Sequence, residues 1–175
     1  ARRELACSCL YVSSDLIGPD EGAREREIGR VASAIDRAAD LGCGCVRVTA
    51  GPARPGSIRA HGIEAVVTGI ESVLEKAQAR GVALALENTR REPGRETEDF
   101  ASELPVFLAI WERLRPKGVK VIFNTGAYLQ TRDGGARLLK RSVDALWAIR
   151  LRDRAATEAA GPVELGHGML KLPEL

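Results

Sequence analysis

The sequence predicts an α/β protein built on a parallel sheet, and three observations support this fold class. Short strand-like segments alternate with amphipathic helical segments five times along the 175 residues. No low-complexity linker interrupts the alternation, so one domain is expected over residues 1–175. Hydrophobic residues make up 45% of the chain, which is enough to bury a core between a sheet and its helices.

The first half of the chain is predicted to contain two strands and two helices. In order, these are a strand over Leu5–Val12, a helix over Ala23–Leu41, a strand over Cys45–Ala50 and a helix over Ile63–Ala77. Apolar residues recur at i, i+3, i+4 and i+7 in the helical segments, the spacing that places them on one buried face. Gly42 and Gly81 follow these helices, as is typical of helix C-termini.

The second half continues the alternation with three further strands. They are predicted over Val82–Glu87, Val119–Asn124 and Leu146–Leu151, separated by a broken helix up to Arg115 and a helix over Gly134–Asp144. Pro105 is expected to interrupt the broken helix, because proline lacks the N–H that a helix interior requires. Gly161-Pro162 and Gly166-His167-Gly168 indicate loops in the remaining tail.

Two folds share this alternation, a doubly wound open sheet and a (β/α)8 TIM barrel. No predicted strand is followed by a Gly-x-Gly-x-x-Gly turn or a Gly-Lys-Ser/Thr loop, which removes the main support for dinucleotide and nucleotide-triphosphate folds. The sequence therefore favours the TIM barrel. Because a complete barrel needs about 250 residues, five units predict an incomplete one.

Polar residues are predicted to line the mouth of this barrel. Side chains alternate along a strand, and the outward ones must be apolar to pack against helices. This rule turns Arg47, Glu87, Asn124 and Arg150 inward, and the last three lie at or near the C-terminal ends of their strands, where barrels carry their chemistry. The alternative is that an ion pair and a hydrogen bond merely fill a polar opening. The residues expected on the outer face of the last strand are Trp147, Ile149 and Leu151.

The composition argues against several functional classes. Lys and Arg total 26 against 24 Asp and Glu, aromatic residues make up 4%, and there are only two histidines, His61 and His167. Nucleic-acid binding needs basic and aromatic surface, and a multi-histidine metal cluster needs more histidines, so neither is expected. No apolar run approaches the roughly 20 residues of a membrane span, and no signal segment leads the chain. We therefore expect a cytoplasmic protein without a membrane partner.

The four cysteines occur as Cys7-Ser-Cys9 and Cys43-Gly-Cys45 on neighbouring predicted strands. Four thiolates can hold a zinc ion. However, residues two apart on a strand are separated by roughly 6.5–7 Å, so the two pairs do not converge well on one ion. The favoured interpretation is that these cysteines are small buried residues without disulfides.

Four segments resemble passages of one known family. They are Ala39–Cys43 followed by Val46–Val48, Ala77–Asn88 (AQARGVALALEN), Ala148–Asp153 (AIRLRD) and Val163–Leu170 (VELGHGML). In this order and spacing they are similar to the xylose-isomerase-like TIM barrels. That superfamily contains sugar-phosphate isomerases, ketose epimerases, inosose dehydratases and AP endonucleases. The resemblance extends over essentially the whole chain and implies that about strands three to seven of the barrel are present.

The resemblance also implies a divalent metal ion, Mn²⁺, Mg²⁺ or Zn²⁺, at the barrel mouth. In the family Glu, Asp, His and Glu hold this ion, and carboxylates move a proton of the sugar. Glu87 matches the first metal ligand and is the implied catalytic carboxylate. Asn124 stands at the Asp position and Arg150 at the His position. Asp153 matches the closing Asp of its motif, and His167 matches a variable loop position on the catalytic side.

Arg150 and Asn124 depart from the family pattern in their chemistry. Arginine has no lone pair to donate and stays charged, so Arg150 cannot be a metal ligand, and Asn124 offers an oxygen without charge. The hypothesis is that the guanidinium of Arg150 replaces the metal as the counter-charge of Glu87.

The expected substrate-binding residues are Asn124, Arg150, Arg47, Asp153 and His167. Arg47 and Arg150, together with Arg152, give the mouth a positive character suited to a phosphate or carboxylate. In the alternative, Arg47 and Arg152 pair with acids such as Asp153 and Glu87.

The sequence thus predicts a sugar or sugar-phosphate isomerase/epimerase-like protein with a degenerate metal site and a small, neutral or anionic sugar as its partner. The alternative is a metal-free pseudoenzyme or small-anion-binding barrel without catalysis. An open arc of five strands exposes two sheet edges, which stable proteins avoid. The expectation is therefore a longer coding sequence, segments missing from this chain, or a partner chain, as in a homo-oligomer, that closes the barrel.

Overall fold

The computed structural model describes residues 6–91, 96–128, 134–155 and 162–170. Five parallel strands form one sheet, and their order in space follows their order along the chain, β1-β2-β3-β4-β5. The strands are β1 (Leu10–Tyr11), β2 (Cys45–Val48), β3 (Ala83–Glu87), β4 (Lys120–Asn124) and β5 (Leu146–Arg150). A doubly wound sheet reverses its strand order, whereas a barrel does not. The predicted incomplete TIM barrel is confirmed.

Helices connect successive strands. They are α1 (Glu21–Asp40), α2 (Arg59–Glu71), α3 (Leu74–Ala79), α4 (Leu104–Leu114) and α5 (Gly134–Ser142), with short 3-10 turns at Arg115–Lys117, Thr125–Ala127 and Val143–Ala145. The side chain of Asp20 begins α1 by accepting a hydrogen bond from the N–H of Ala23 at 2.7 Å. In the part of the chain that the structure describes, no helix combines the length and the apolar character of a membrane span.

Two of the predicted helices differ from the observed ones. The segment predicted as one helix over Ile63–Ala77 is divided by a turn at Ser72 and Val73 into α2 and α3. Pro105 lies in the first turn of α4 rather than interrupting a helix. The first turn has no intrahelical partner for its N–H groups, so proline is tolerated there and the helix simply begins one residue before it.

The core has two layers on opposite faces of the sheet. The larger layer lies between the sheet and the helices and includes Trp111, Phe107 and Ile35, all fully buried. The smaller layer lies on the inner, concave face. It consists of Cys45, Ala85 and Ile122, with Cys9 and Ala148 packed against them. This inner layer forms the floor beneath the ends of the strands.

The pairing of β4 with β5 contains a bulge. Val121 pairs with Leu146, but the next residue of β4, Ile122, pairs with Ala148, so β5 has one extra residue. The extra residue is Trp147, whose ring lies next to Gly44, the residue that precedes β2. Its Cη2 lies 3.4 Å from the position that a Cβ would take on Gly44. The prediction that Trp147 lies on the outer face is therefore wrong, because simple alternation fails where the bulge occurs.

The chain after β5 forms a two-stranded antiparallel ribbon, β6 (Asp153–Arg154) with β7 (Pro162–Val163). Residues 164–170 return from β7 toward β6, where the N–H of Met169 donates to the carbonyl of Arg154 at 2.8 Å. The predicted glycine-rich loop therefore lies beside the end of β5. Gly161 lies outside the described residues.

Candidate functional site

Four of the predicted site residues meet at the C-terminal ends of β2 to β5. They are Arg47, Glu87, Asn124 and Arg150, each from a different strand. The sequence predicted the inward orientation of all four, and the structure brings their polar groups into direct contact.

Glu87 is the centre of this cluster and is completely buried. Its Oε2 accepts a hydrogen bond from Nε of Arg47 at 2.5 Å, and its Oε1 accepts one from Nδ2 of Asn124 at 2.7 Å. Nη1 of Arg150 lies between the two oxygens, 3.2 Å from Oε1 and 3.3 Å from Oε2. Both carboxylate oxygens are thus occupied by N–H donors, two of which come from cations.

The two arginines differ in their surroundings. Arg47 is 1% exposed, and its Nη1 also donates to the carbonyl of Val12 at 3.3 Å. Arg150 has a side chain that is 29% exposed, and its only hydrogen bonds to described residues are those from Nη1 to Glu87. Arg47 is therefore an internal partner of Glu87, whereas part of the Arg150 side chain is exposed to the solvent.

Asn88 positions Asn124, and sequence reasoning assigned it no role. Nδ2 of Asn88 donates to the carbonyl of Asn124 at 3.0 Å, and its Oδ1 accepts from the N–H of Asn124 at 2.7 Å. Oδ1 of Asn124 in turn accepts from the N–H of Gly126 at 3.1 Å. The side-chain amide of Asn124 is therefore held with its Nδ2 toward Glu87. The signal available in the sequence was the position of Asn88 directly after Glu87, at a strand end.

Tyr11 is the second residue that sequence reasoning missed. It lies on β1 opposite Arg47, and 48% of its surface is exposed. Its ring centroid lies 5.5 Å from Cζ of Arg47 and 5.2 Å from Cζ of Arg150, which are cation–π distances. The signal was its place one residue before the end of the predicted first strand, with the same alternation that turns Arg47 inward.

Two cysteines lie on the floor of the cluster. Cys9 packs against Cys45 one residue before the Leu10–Val46 pair, and all four cysteines of the chain are free thiols. A hydrogen bond from the Cys45 thiol lowers the pKa of Cys9 against the opposing effect of burial, and Arg47 lowers it further. The same hydrogen bond, with burial, raises the pKa of Cys45. The prediction that all four cysteines are buried is confirmed for Cys43 and Cys45. Cys9 is only partly buried, and the prediction is wrong for Cys7, which precedes β1 and is exposed.

Asp153 lies outside this cluster and organises the loop that follows β7. Its two oxygens accept hydrogen bonds of 2.8–3.0 Å from four backbone N–H groups, those of Arg154, Gly166, Gly168 and Leu170. Burial raises the pKa of this carboxyl, but the four hydrogen bonds outweigh it and hold the pKa below its ordinary value. The described contacts of Asp153 are therefore structural.

His167 lies on the loop that Asp153 holds. Its imidazole is 73% exposed, and Nδ1 lies 3.6 Å from a carboxylate oxygen of Glu164. Within the described residues, no hydrogen bond or ion pair joins it to Arg47, Glu87, Asn124 or Arg150. Its role at the mouth stays a prediction.

The residues around Glu87 do not fit a divalent cation. A metal ion needs lone pairs from several ligands, but the neighbours of Glu87 present N–H groups, and two of them carry positive charge. Among the described residues, no group of three or more His, Cys, Asp or Glu side chains is arranged to hold a metal ion. What the cluster can supply is positive charge and directed hydrogen-bond donors.

Comparisons with known proteins agree with this architecture. A family model described as xylose isomerase-like TIM barrel matches residues 1–175. A protein from Sinorhizobium meliloti 1021 is 28% identical and superposes with a TM-score of 0.75 over 94% of this chain and 61% of that one. A D-tagatose 3-epimerase-like protein is 14% identical, with a TM-score of 0.75 over 91% of this chain and 61% of that one.

A further similar structure is a D-allulose 3-epimerase from a Methylomonas species, solved in complex with D-allulose. It is 16% identical and superposes with a TM-score of 0.68 over 91% of this chain and 54% of that one. The present chain spans about six-tenths of the length of the two proteins first compared. Among curated proteins, no sequence matches it.

Proposed function

The chain belongs to the xylose isomerase-like TIM barrel family, and from this premise we propose that it is an isomerase/epimerase-like protein that binds a small sugar at the barrel mouth without a metal ion. One observation carries the metal-free part of this proposal. Arg47 and Arg150 bracket Glu87, so the carboxylate already has its counter-charges. The guanidinium of Arg150 lies within 3.3 Å of both oxygens, where it repels a second cation.

The sugar-binding part rests on the fold and on the location of the cluster. Ligands of β/α barrels bind at the C-terminal ends of the strands, where Glu87, Asn124 and Arg150 lie. Similar folds include a D-tagatose 3-epimerase-like protein and a D-allulose 3-epimerase solved with D-allulose. The hydroxyl groups of a sugar suit the directed donors of this mouth.

Catalysis by Glu87 is disfavoured on this proposal. A general base needs a free lone pair within hydrogen-bond distance of the substrate proton. Both oxygens of Glu87 accept hydrogen bonds from neighbouring side chains, and the residue is fully buried. Its role is that of a buried counter-ion that holds the two arginines in place.

A second candidate function is metal-dependent epimerisation of a ketose. It is favoured by Glu87, which stands at the position of the family's first metal ligand, and by the epimerases among the similar folds. It requires that a metal displace Arg150 from the carboxylate.

Metal content and sugar binding separate the two candidates. The purified chain is incubated with Mn²⁺, Mg²⁺ or Zn²⁺, desalted and analysed by elemental mass spectrometry, and the binding of D-allulose and D-fructose is measured by calorimetry with and without EDTA. We expect no stoichiometric metal, sugar binding that EDTA leaves unchanged, and no epimerised product by chromatography. Stoichiometric metal together with metal-dependent turnover establishes the second candidate instead. The Arg150→His variant is compared with Arg113→His, an exposed arginine paired with Glu64, to show whether removing the mouth arginine alone admits a metal.

A further inference from the structure

We propose that the ligand of this mouth is a sugar acid, whose carboxylate binds Nε and Nη2 of Arg150 and whose carbon skeleton lies against Tyr11. The inference rests on the proposed function, because it specifies which class of sugar the metal-free site takes.

The first observation is the unused edge of a guanidinium. Arg150 contacts Glu87 through Nη1 alone, and neither Nε nor Nη2 makes a hydrogen bond to a described residue. These two nitrogens form one of the parallel two-donor edges of arginine, which match the two oxygens of a carboxylate. The side chain is 29% exposed, and the bond to Glu87 and the ring of Tyr11 fix its orientation.

The second observation is the charge of the cluster. Nε of Arg47 lies 2.5 Å from Glu87, whereas Nη1 of Arg150 lies 3.2 and 3.3 Å from its two oxygens. Arg47 is 1% exposed and Arg150 is 29% exposed, so Arg150 is the cation of the cluster that a ligand meets. One guanidinium balances a monoanion, whereas the dianion of a phosphate monoester leaves an excess negative charge beside Glu87. The cluster therefore favours a carboxylate over a phosphate.

The third observation is the exposed aromatic ring beside that edge. Tyr11 is 48% exposed, although both guanidinium groups lie within 5.5 Å of its centroid. A ring held by two buried or half-buried side chains loses little conformational freedom on binding. Such a surface offers apolar contact to the C–H groups of a sugar together with a hydroxyl for its polar groups. Tyr11 is thus placed to select a sugar acid over a simple carboxylate.

Calorimetric titration of the complete chain with five probes tests the inference. The probes are D-gluconate, D-glucuronate, D-glucose, D-glucose 6-phosphate and acetate. Because charge-assisted hydrogen bonds are stronger than neutral ones, we expect a sugar acid to bind about tenfold or more tightly than glucose. We also expect it to bind more tightly than glucose 6-phosphate and acetate.

Three variants assign the interaction to its residues. Arg150→Lys keeps the charge but removes the two-donor edge, so the affinity for the sugar acid should fall about tenfold while that for glucose changes little. Tyr11→Ala should weaken both gluconate and glucose, whereas Tyr11→Phe, which keeps the ring, should retain most of the affinity. Arg59→Lys, an exposed arginine paired with Glu103, is the matched control. Thermal unfolding of each variant verifies that it is folded.

Each other outcome overturns the inference in a recognisable way. Equal affinity for glucose and the sugar acids, or an unchanged affinity in Arg150→Lys, rejects the sugar acid but leaves the proposed function intact. Tighter binding of glucose 6-phosphate rejects the charge argument. Acetate bound as tightly as the sugar acids shows adventitious anion binding only. If neither these sugars nor the ketoses bind, the proposed function fails as well.

Discussion

Nε of Arg47 on β2 donates to Oε2 of Glu87 on β3 across 2.5 Å, and both side chains are excluded from solvent. Removing two charges from water is costly, and their attraction offsets this cost only when further hydrogen bonds satisfy both groups. Asn124 and Arg150 supply those bonds to Glu87. The pair is therefore part of a hydrogen-bonded network of four side chains centred on Glu87.

Removal of one charge from this network should destabilise the fold. In Glu87→Gln, the buried Arg47 loses the carboxylate to which its Nε donates, so we expect the free energy of unfolding to fall by about 3–5 kcal/mol. Urea denaturation followed by circular dichroism measures this change. Glu64→Gln removes the partner of Arg113 in an exposed pair and should have little effect. Equal changes in the two variants would contradict a structural role for the buried pair.

The thiol of Cys9 should react at unusually low pH. The thiolate is the reactive form, and the hydrogen bond from Cys45 lowers the pKa of Cys9, so the midpoint of its alkylation by iodoacetamide should lie below that of an ordinary thiol. Mass spectrometry of a Cys7→Ala background measures the midpoint at one residue. Replacement of Cys45 by Ala should move it upward. An unchanged midpoint would show that the neighbouring thiol has no part in the shift.

The loop that follows β7 should open in acid. The pKa of Asp153 is lowered in the folded protein, so the stability that its carboxylate contributes is complete above its ordinary pKa, near pH 4, and is lost as the pH falls through the lowered value. Hydrogen exchange of residues 162–170, measured between pH 2 and 5 and corrected for intrinsic rates, should show protection decreasing toward low pH. In Asp153→Asn protection should be low throughout. A loop equally protected in both proteins would refute this role of the carboxylate.

Gly168 should tolerate no side chain. A Cβ at this position would lie 2.3 Å from the carbonyl oxygen of Arg154 and 2.4 Å from Oδ1 of Asp153. Gly168→Ala must therefore displace the backbone, and we expect a cost of about 1–3 kcal/mol, seen as faster hydrogen exchange in residues 162–170. Gly29→Ala is the control, because nothing lies within 4 Å of its Cβ position in the exposed part of α1. That change should instead stabilise the protein by about 0.5–1 kcal/mol.

The cluster was predictable where it depends on alternation within a strand. Glu87 and Asn124 end strands whose apolar residues alternate regularly, so the inward face could be identified from the sequence. The contacts of Asp153 were not predictable in this way, because they join β6 to backbone groups up to 17 residues away. The contacts of Tyr11 depend likewise on Arg47 and Arg150, which come from two other strands.

Strand boundaries and bends were predictable only in part. The break between α2 and α3 falls inside a regular apolar stripe, which carries no local sign of a turn at Ser72 and Val73. The bulge at Trp147 arises from how β5 pairs with β4, a property of two strands that neither sequence shows alone. The inward position of Arg150 was thus predicted correctly, whereas the extra residue that lies below it in β5 was not predicted.

The extra residue in β5, Trp147, determines which side chains of the upper part of this strand face the mouth. Leu146, below the bulge, packs on the helix side of the sheet, whereas Ala148 and Arg150, above it, face the interior. Strict alternation from Leu146 without a bulge would instead turn Ile149 and Leu151 toward Glu87 and Arg150 toward the helices. Deleting Trp147 would remove the bulge and still leave Arg150 at the mouth, because Leu146 and Arg150 would then stand three positions apart on opposite faces. The bulge thus lets a single strand supply an apolar residue to the core below and a cation to the mouth above.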